Sequence, residues 1–200
     1  MSYDAAVATF SALPPDAGPA DWDDLATLLG PGAFADLFSS PLTPPAHWEE
    51  VFRLQGVQML LEAPLPPASD GPEVERLGPD DVPAMRELTA LTKPGPFWER
   101  THEMGRYVGV RDGDRLVAMA GERLRPPGWT EISAVCTAPE ARGRGLAAVL
   151  VADAARAILA RGEQPFLHAA ASNTTAIAVY ERLGFRVRRD VVFRGYRTPG

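Results

Sequence analysis

TEISAVCTAPEARGRGLA, residues 130–147, is the stretch that decides how this chain is read. Glu131-Ile132-Ser133-Ala134-Val135-Cys136-Thr137 has the length and apolar character of a buried strand, and Ala138-Pro139-Glu140-Ala141 ends it. Arg142-Gly143-Arg144-Gly145-Leu146-Ala147 then enters a strongly helical segment whose core reads AAVLVADAARAILA. Glycines at 143 and 145 remove side chains, so backbone N–H groups at the positive end of a helix dipole can approach a pyrophosphate. Arg142 and Arg144 add fixed charge that suits phosphate oxygens. The spacing is not that of a P-loop, which needs a Lys-Ser/Thr pair, nor the GxGxxG dinucleotide fingerprint. A tight loop with solvated arginines is the alternative.

Working outward, Arg106 to Arg111 and Arg115 to Leu124 read as strands joined by the tight turn Asp112-Gly113-Asp114. After Arg125-Pro126-Pro127-Gly128 a third strand runs from Trp129 to Thr137, so three successive antiparallel strands are expected. Downstream, Gly162 stops the helix that begins at Leu146, and Phe166 to Ala171 is a short strand behind Pro165. Asn173 or Ser172 caps a helix from Thr174 to Leu183, Gly184 ends it, and Phe185 to Tyr196 alternates apolar residues with arginines. Upstream, Glu73 to Leu77 reads as a strand. Asp80 or Asp81 caps a helix through Met85, Leu88 and Leu91, which Lys93-Pro94-Gly95-Pro96 stops. The expected order from residue 73 is βα, βββ, αβαβ.

Residues 1–72 are punctuated by proline and glycine. Asp21-Trp22-Asp23-Asp24-Leu25 opens a short helix that Gly30-Pro31-Gly32 ends, while Val57 to Glu62 fits either a strand or a buried helix turn. Ala63 to Pro72 reads as an extended linker, which puts a boundary between a Pro-rich extension or small subdomain, 1–72, and a main domain, 73–200.

Composition narrows the function classes. With 46% hydrophobic and 23% charged residues in a chain of 200, an ordinary globular core is available. A net charge of −6 argues against nonspecific nucleic-acid binding, although arginines cluster at 182–197. The single cysteine, Cys136, excludes an intramolecular disulfide, MSYDAAVATF lacks the pattern of an export signal, and no apolar run approaches the roughly 18 residues of a membrane span. A soluble cytoplasmic protein with no nucleic-acid or membrane partner is expected.

A second signature joins the first. RxxGxA at 142–147, followed after a helix and a strand by Asn173-Thr174-Thr175-Ala176-Ile177-Ala178-Val179-Tyr180-Glu181-Arg182-Leu183-Gly184-Phe185, resembles the GNAT superfamily of acetyl-CoA-dependent N-acetyltransferases. Residues 73–200 carry the likeness, and TEISAVCTAPEARGRGLA is similar to a bacterial subfamily with a Pro-rich N-terminal extension. The resemblance implies a mixed α/β sheet (α+β) with a splayed central strand, acetyl-CoA as co-substrate and no metal. It implies direct acetyl transfer, in a ternary complex, to a primary amine on a small molecule or peptide; the alternative is a module that binds acyl-CoA without turnover. A homodimer is left open.

By the same resemblance, the backbone of Val135, Cys136 and Thr137 binds the pantetheine arm and thioester oxygen. Arg142, Gly143, Arg144, Gly145, Leu146 and Ala147 hold the pyrophosphate. Tyr180 protonates the leaving thiolate. Asn173 either contacts the pantetheine or simply caps its helix. A protonated amine needs a base, for which Glu131 is the first candidate and Glu122 the second. His168 reads as a structural residue, with a place facing the substrate channel as the alternative, and Cys136 reads as a strand residue rather than a nucleophile. Phe97 and Trp98 are candidates for walling the acceptor pocket. One departure stands out: the superfamily usually ends with two strands, and only about a dozen strand-like residues follow Gly184. Either one long bent strand suffices or the N-terminal region completes the sheet.

Overall fold

The computed structural model describes residues 2–38, 40–67 and 71–200; Ala68, Ser69 and Asp70 of the expected linker lie outside them. Among the described residues, four α-helices and eight strands follow one another as α1 (Pro19–Leu29), β1 (Phe34–Asp36), β2 (Glu49–Leu61), β3 (Glu75–Leu77), α2 (Val82–Thr92), β4 (Tyr107–Asp112), β5 (Arg115–Glu122), β6 (Trp129–Thr137), α3 (Leu146–Ala160), β7 (Gln164–Ala170), α4 (Thr174–Arg182) and β8 (Phe185–Arg197). From residue 73 onward the order matches the one expected from the sequence. Local chemistry explains why. Asp112 pairs with Arg115 around Gly113, whose φ of 59° suits the tight hairpin turn. Lys93 closes α2 in the left-handed region, and Asn173 Oδ1 accepts the Ala176 N–H to cap α4.

All eight strands belong to one sheet in the order β1-β8-β2-β7-β6-β5-β4-β3. Only β6 and β7 run parallel, which a strand-helix-strand crossover through α3 requires. The sheet is completed from the N-terminal side: β2 inserts between β7 and β8 and pairs with the whole of β8, from Glu49 with Arg197 to Leu61 with Phe185. Strands from both sides of the expected boundary at 63–72 thus share one hydrogen-bonded sheet. Gly56 marks the tight centre of this insertion, since a Cβ there would lie 2.4 Å from the Phe193 ring and 2.8 Å from the Ala169 carbonyl oxygen.

Three apolar clusters hold the layers together. Met85 and Leu88 of α2 pack with Val108, Met119, Cys136 and Leu150 on one part of the sheet. Val151, Ala155 and Ile158 of α3 bury their stripe against Met59, Ile132, Leu167, Tyr180 and Phe185. Trp22 and Leu25 of α1 meet Trp48, Leu37 and Tyr196. That third cluster anchors the N-terminal segment over the β1-β8 edge, so residues 2–38 form part of the wall beside the centre of the sheet.

Candidate active site

β6 is a strand whose two halves have different neighbours. Trp129 to Ile132 pair with Gln164 to Leu167 of β7, and the ladder ends there. Its second half stays with β5 alone, through Cys136 with Met119 and Thr137 with Ala118. The register slips between these stretches, and Ala134 sits at φ 51°, uncommon for a residue with a Cβ. Beyond this bulge β6 has no ladder to β7 among the described residues, and Val135 and Thr137 there are half-buried. Cys136 faces the α2 core; burial pushes its thiol up to about 11, against a hydrogen bond from Thr92, so it rests as a neutral strand residue.

A short turn at Pro139–Ala141 carries the chain from the end of β6 toward the start of α3. Gly143 and Gly145 both adopt left-handed backbone, φ 79° and 76°, and Gly145 is the residue immediately before the helix. A Cβ at either position would meet nothing within 4 Å, so glycine answers the conformation and leaves the approach open. Arg142 Nε reaches back to the Thr137 carbonyl at 3.4 Å, and Arg144 Nη1 pairs with Asp112 at 2.9 Å. Both arginines stay exposed beside the helix N-terminus, while Leu146 is buried and Ala147 half-buried as the first turn. The 15-residue helix supplies the N–H groups and dipole that an anion needs there.

Tyr180 of α4 packs at 6% exposure within the second cluster. Burial, with Cys136 adding to it, pushes its phenol up to about 12, so it is protonated at any physiological pH. Asn173 is exposed and its side-chain oxygen is engaged in the cap.

Across the sheet lies a chain of buried polar groups. Glu131 is fully buried and binds Arg123 in two places, Oε2 to Nε at 2.9 Å and Oε1 to Nη2 at 2.6 Å, and meets His168 Nδ1 at 2.7 Å. Burial pushes the Glu131 carboxyl up, but the Arg123 charge and the hydrogen bonds from His168 and Arg123 outweigh it and hold the group at about 2. On the other side of the ring, His168 Nε2 lies 3.1 Å from Gln58 Nε2, and Arg188 Nη1 donates to Gln58 Oε1 at 3.1 Å. With its oxygen accepting from arginine, the Gln58 amide presents nitrogen to the ring. An amide nitrogen only donates, so Nε2 is the acceptor and Nδ1 carries the proton toward Glu131. Glu122, the second candidate base, is buried in a separate ion pair with Arg161 at 2.9 Å.

His168 faces a cavity of about 440 Å³ with an apolar wall of Tyr3, Phe38, Leu124 and Phe166. Phe38 stands edge-on to the imidazole at 4.7 Å, and the Arg123 guanidinium lies 4.9 Å from the ring centres of both Phe10 and Phe38. Asp36, 3% exposed, adds a buried carboxylate behind this wall. Its Oδ1 has no hydrogen-bond partner among the described residues, and burial raises its pKa to about 6 against the pull of Arg123. Phe97 packs edge-on against Tyr107, and neither it nor Trp98 lines the cavity. Sequence reasoning missed Arg123, Gln58 and Arg188 altogether. They converge from strands far apart in the chain, and only the arginine-rich character of β8 hinted at any of them.

Among the described residues no cluster of three or more His, Cys, Asp or Glu is placed to hold a metal ion, and no helix is long and apolar enough to cross a membrane. Residues 107–194 match the family model described as FR47-like protein. A solved structure from Novosphingobium aromaticivorans, described as a GNAT-family acetyltransferase, aligns with a TM-score of 0.88 at 41% identity, covering 100% of this chain and 88% of that one. A mycothiol acetyltransferase from Saccharopolyspora erythraea is 35% identical over 91 residues, 44% of this chain and 30% of the relative. The N-alpha-acetyltransferase RimI from Mycobacterium tuberculosis is 36% identical over 99 residues, 47% of this chain and 60% of the relative. The match to these two curated relatives thus spans less than two thirds of either. A strand that parts from its parallel neighbour, a glycine turn at the head of the following helix and this long likeness to one solved relative agree: the chain belongs to the GNAT family of acetyltransferases.

Proposed function

We propose that the protein transfers an acetyl group from acetyl-CoA to a primary amine by direct attack within a ternary complex. The observation that carries this reading is the end of the β6-β7 ladder at Ile132: beyond it β6 runs on without β7 toward the glycine turn of α3, while His168 of β7 lines the cavity. Names that denote acetyl transfer among the relatives support it.

Acetyl-CoA would supply an activated thioester. Gly143, Gly145 and the first turn of α3 bind its pyrophosphate, with Arg142 and Arg144 beside them, and the backbone of Val135, Cys136 and Thr137 orients the arm and the carbonyl. Asn173 acts as the cap of α4. Tyr180 donates a hydrogen bond to the departing sulfur. With the phenol at about 12 and a thiol near 8.5, complete proton transfer is uphill by about 5 kcal/mol, so Tyr180 chiefly stabilises the thiolate.

The base is reassigned from the candidate carboxylates, Glu131 and Glu122, to His168. A carboxylate held at about 2 by Arg123 and His168 has little affinity for an amine proton. Glu131 therefore positions His168: it accepts the hydrogen bond from Nδ1–H and leaves the Nε2 lone pair directed at Gln58 beside the cavity. The Gln58 amide nitrogen marks where an N–H donor sits, and an incoming amine that displaces it delivers its proton to His168 Nε2.

The test is thiol release from acetyl-CoA over a panel of primary amines, with the product identified by mass. Amine-dependent release that falls at least about 100-fold in His168→Gln is expected. Acetyl-CoA raising the melting temperature with no release across the panel would instead mark a module that binds without turnover.

A further inference from the structure

The cavity beside His168 has an electrostatic character opposite to that of the whole chain. The protein carries 26 acidic and 20 basic residues, net −6. Two guanidiniums, those of Arg125 and Arg189, line the cavity, and no carboxylate does so among the described residues. Glu131, the nearest carboxylate behind the imidazole, is fully engaged by Arg123 and His168.

The two arginines differ. Arg125 already reaches Glu163 at 3.3 Å. Arg189 is exposed and has no ion pair or side-chain hydrogen bond among the described residues, although other arginines of the same strand, Arg186, Arg188, Arg194 and Arg197, each find an oxygen. Register fixes where Arg189 sits. Gln58 of β2 is paired with His168 of β7 on one side and with Arg189 of β8 on the other. Residues directly opposite on neighbouring strands share a face, so Arg189, Gln58 and His168 stand in a row across three strands. Two strand spacings, about 10 Å, separate the backbones of the outer two, and the cavity lies over them.

Resting on the transferase reading above, we propose that the acceptor amine carries an anionic oxygen group, carboxylate or phosphate, which Arg189 binds while the amine meets His168. The apolar wall of Phe38, Leu124 and Phe166 takes the body of the acceptor between the two ends. A planar guanidinium matches both kinds of oxyanion, and its fixed charge draws such an acceptor in, while a polycationic amine meets two arginines and no counter-charge.

Four aromatic amines of one shape decide the matter: 4-(2-aminoethyl)benzoate, its methyl ester, O-phosphotyramine, and the trimethylammonium analogue. The expected result is a kcat/KM at least about ten-fold higher for one of the anionic pair than for the ester, with the cation lowest; whichever anion leads identifies the oxyanion. In Arg189→Gln the ratio of anion to ester should shrink toward one, and in Arg189→Glu the order should turn in favour of the cation. The melting shift with acetyl-CoA checks that each variant is folded and loaded. Equal rates for ester and anions in the wild type, or an anion preference that survives Arg189→Glu, overturn this inference alone. Acetyl-CoA binding with no acetylation of any amine overturns the transferase reading and this inference with it.

Discussion

Glu131 and His168 meet across two parallel strands, Oε1 to Nδ1 at 2.7 Å, with both side chains withdrawn from water. Their separation in the chain is 37 residues, so the contact exists only because β6 and β7 lie side by side. Replacing Glu131 by Gln removes the charge that fixes the ring and leaves Arg123 buried without its partner. Turnover is expected to fall by about 10²- to 10⁴-fold, and stability by about 3–5 kcal/mol. The sign with pH follows from the depressed pKa. The contribution of the Glu131 carboxylate is complete above its ordinary value of 4.5 and is lost as the pH falls through about 2. Melting curves of wild type and Glu131→Gln should therefore differ most above about pH 5 and converge in stronger acid.

Tyr180→Phe keeps the ring that packs beside Phe185 and deletes only the hydroxyl. The melting temperature and the acetyl-CoA dissociation constant should change little, while kcat drops by about 10²-fold or more. Unaltered turnover would remove Tyr180 from the role of thiolate partner.

At the head of α3, Gly145→Glu tests the pyrophosphate turn. The Cβ finds open space, but φ 76° strains any side chain by about 1–2 kcal/mol, and a carboxylate there opposes an anion. The variant should fold with a modestly lower melting temperature and lose the stabilisation by acetyl-CoA; Gly145→Ala, without the charge, should keep part of it. Undiminished stabilisation of Gly145→Glu would mean that the turn does not hold the coenzyme.

Asp36 behaves oppositely to Glu131. Its carboxyl is raised from 3.8 to about 6, so the folded protein holds that proton more tightly than the unfolded chain. Stability is gained as the pH falls from neutrality through about 6 toward 4, and the ionised group costs up to about 3 kcal/mol at neutral pH. Asp36→Asn should raise the melting temperature at neutral pH and flatten that part of the pH profile. A lower melting temperature at neutral pH would show that attraction to Arg123 outweighs burial.

What could be read from the sequence was what the chain writes locally. The turn at Gly113, the glycines before α3, the Asn173 cap and the strand-helix alternation from residue 73 each depend on residues within a few positions of one another. The proposed coenzyme side rests largely on one such continuous stretch, 130–147, whose glycine turn the sequence locates by itself. The proposed acceptor side has no such local signature. Arg123 lies over the rings of both Phe10 and Phe38, and Gln58 is 110 residues from the histidine it touches, contacts that no periodicity reports. Val57 to Glu62 fits a strand or a helix by its own pattern, and only its place between β7 and β8 decides in favour of the strand.

The insertion of β2 also sets an order of events during synthesis. A ribosome releases this strand well before either of its partners, with most of the protein still to be made. Until β7 and β8 emerge, Gly56 to Met59 have no sheet to enter, and β6 cannot complete the parallel crossover beside it. Closure of the sheet is therefore a late, long-range event that contact order makes slow, and a nascent chain waiting for it exposes an apolar edge that a chaperone or a second chain can capture.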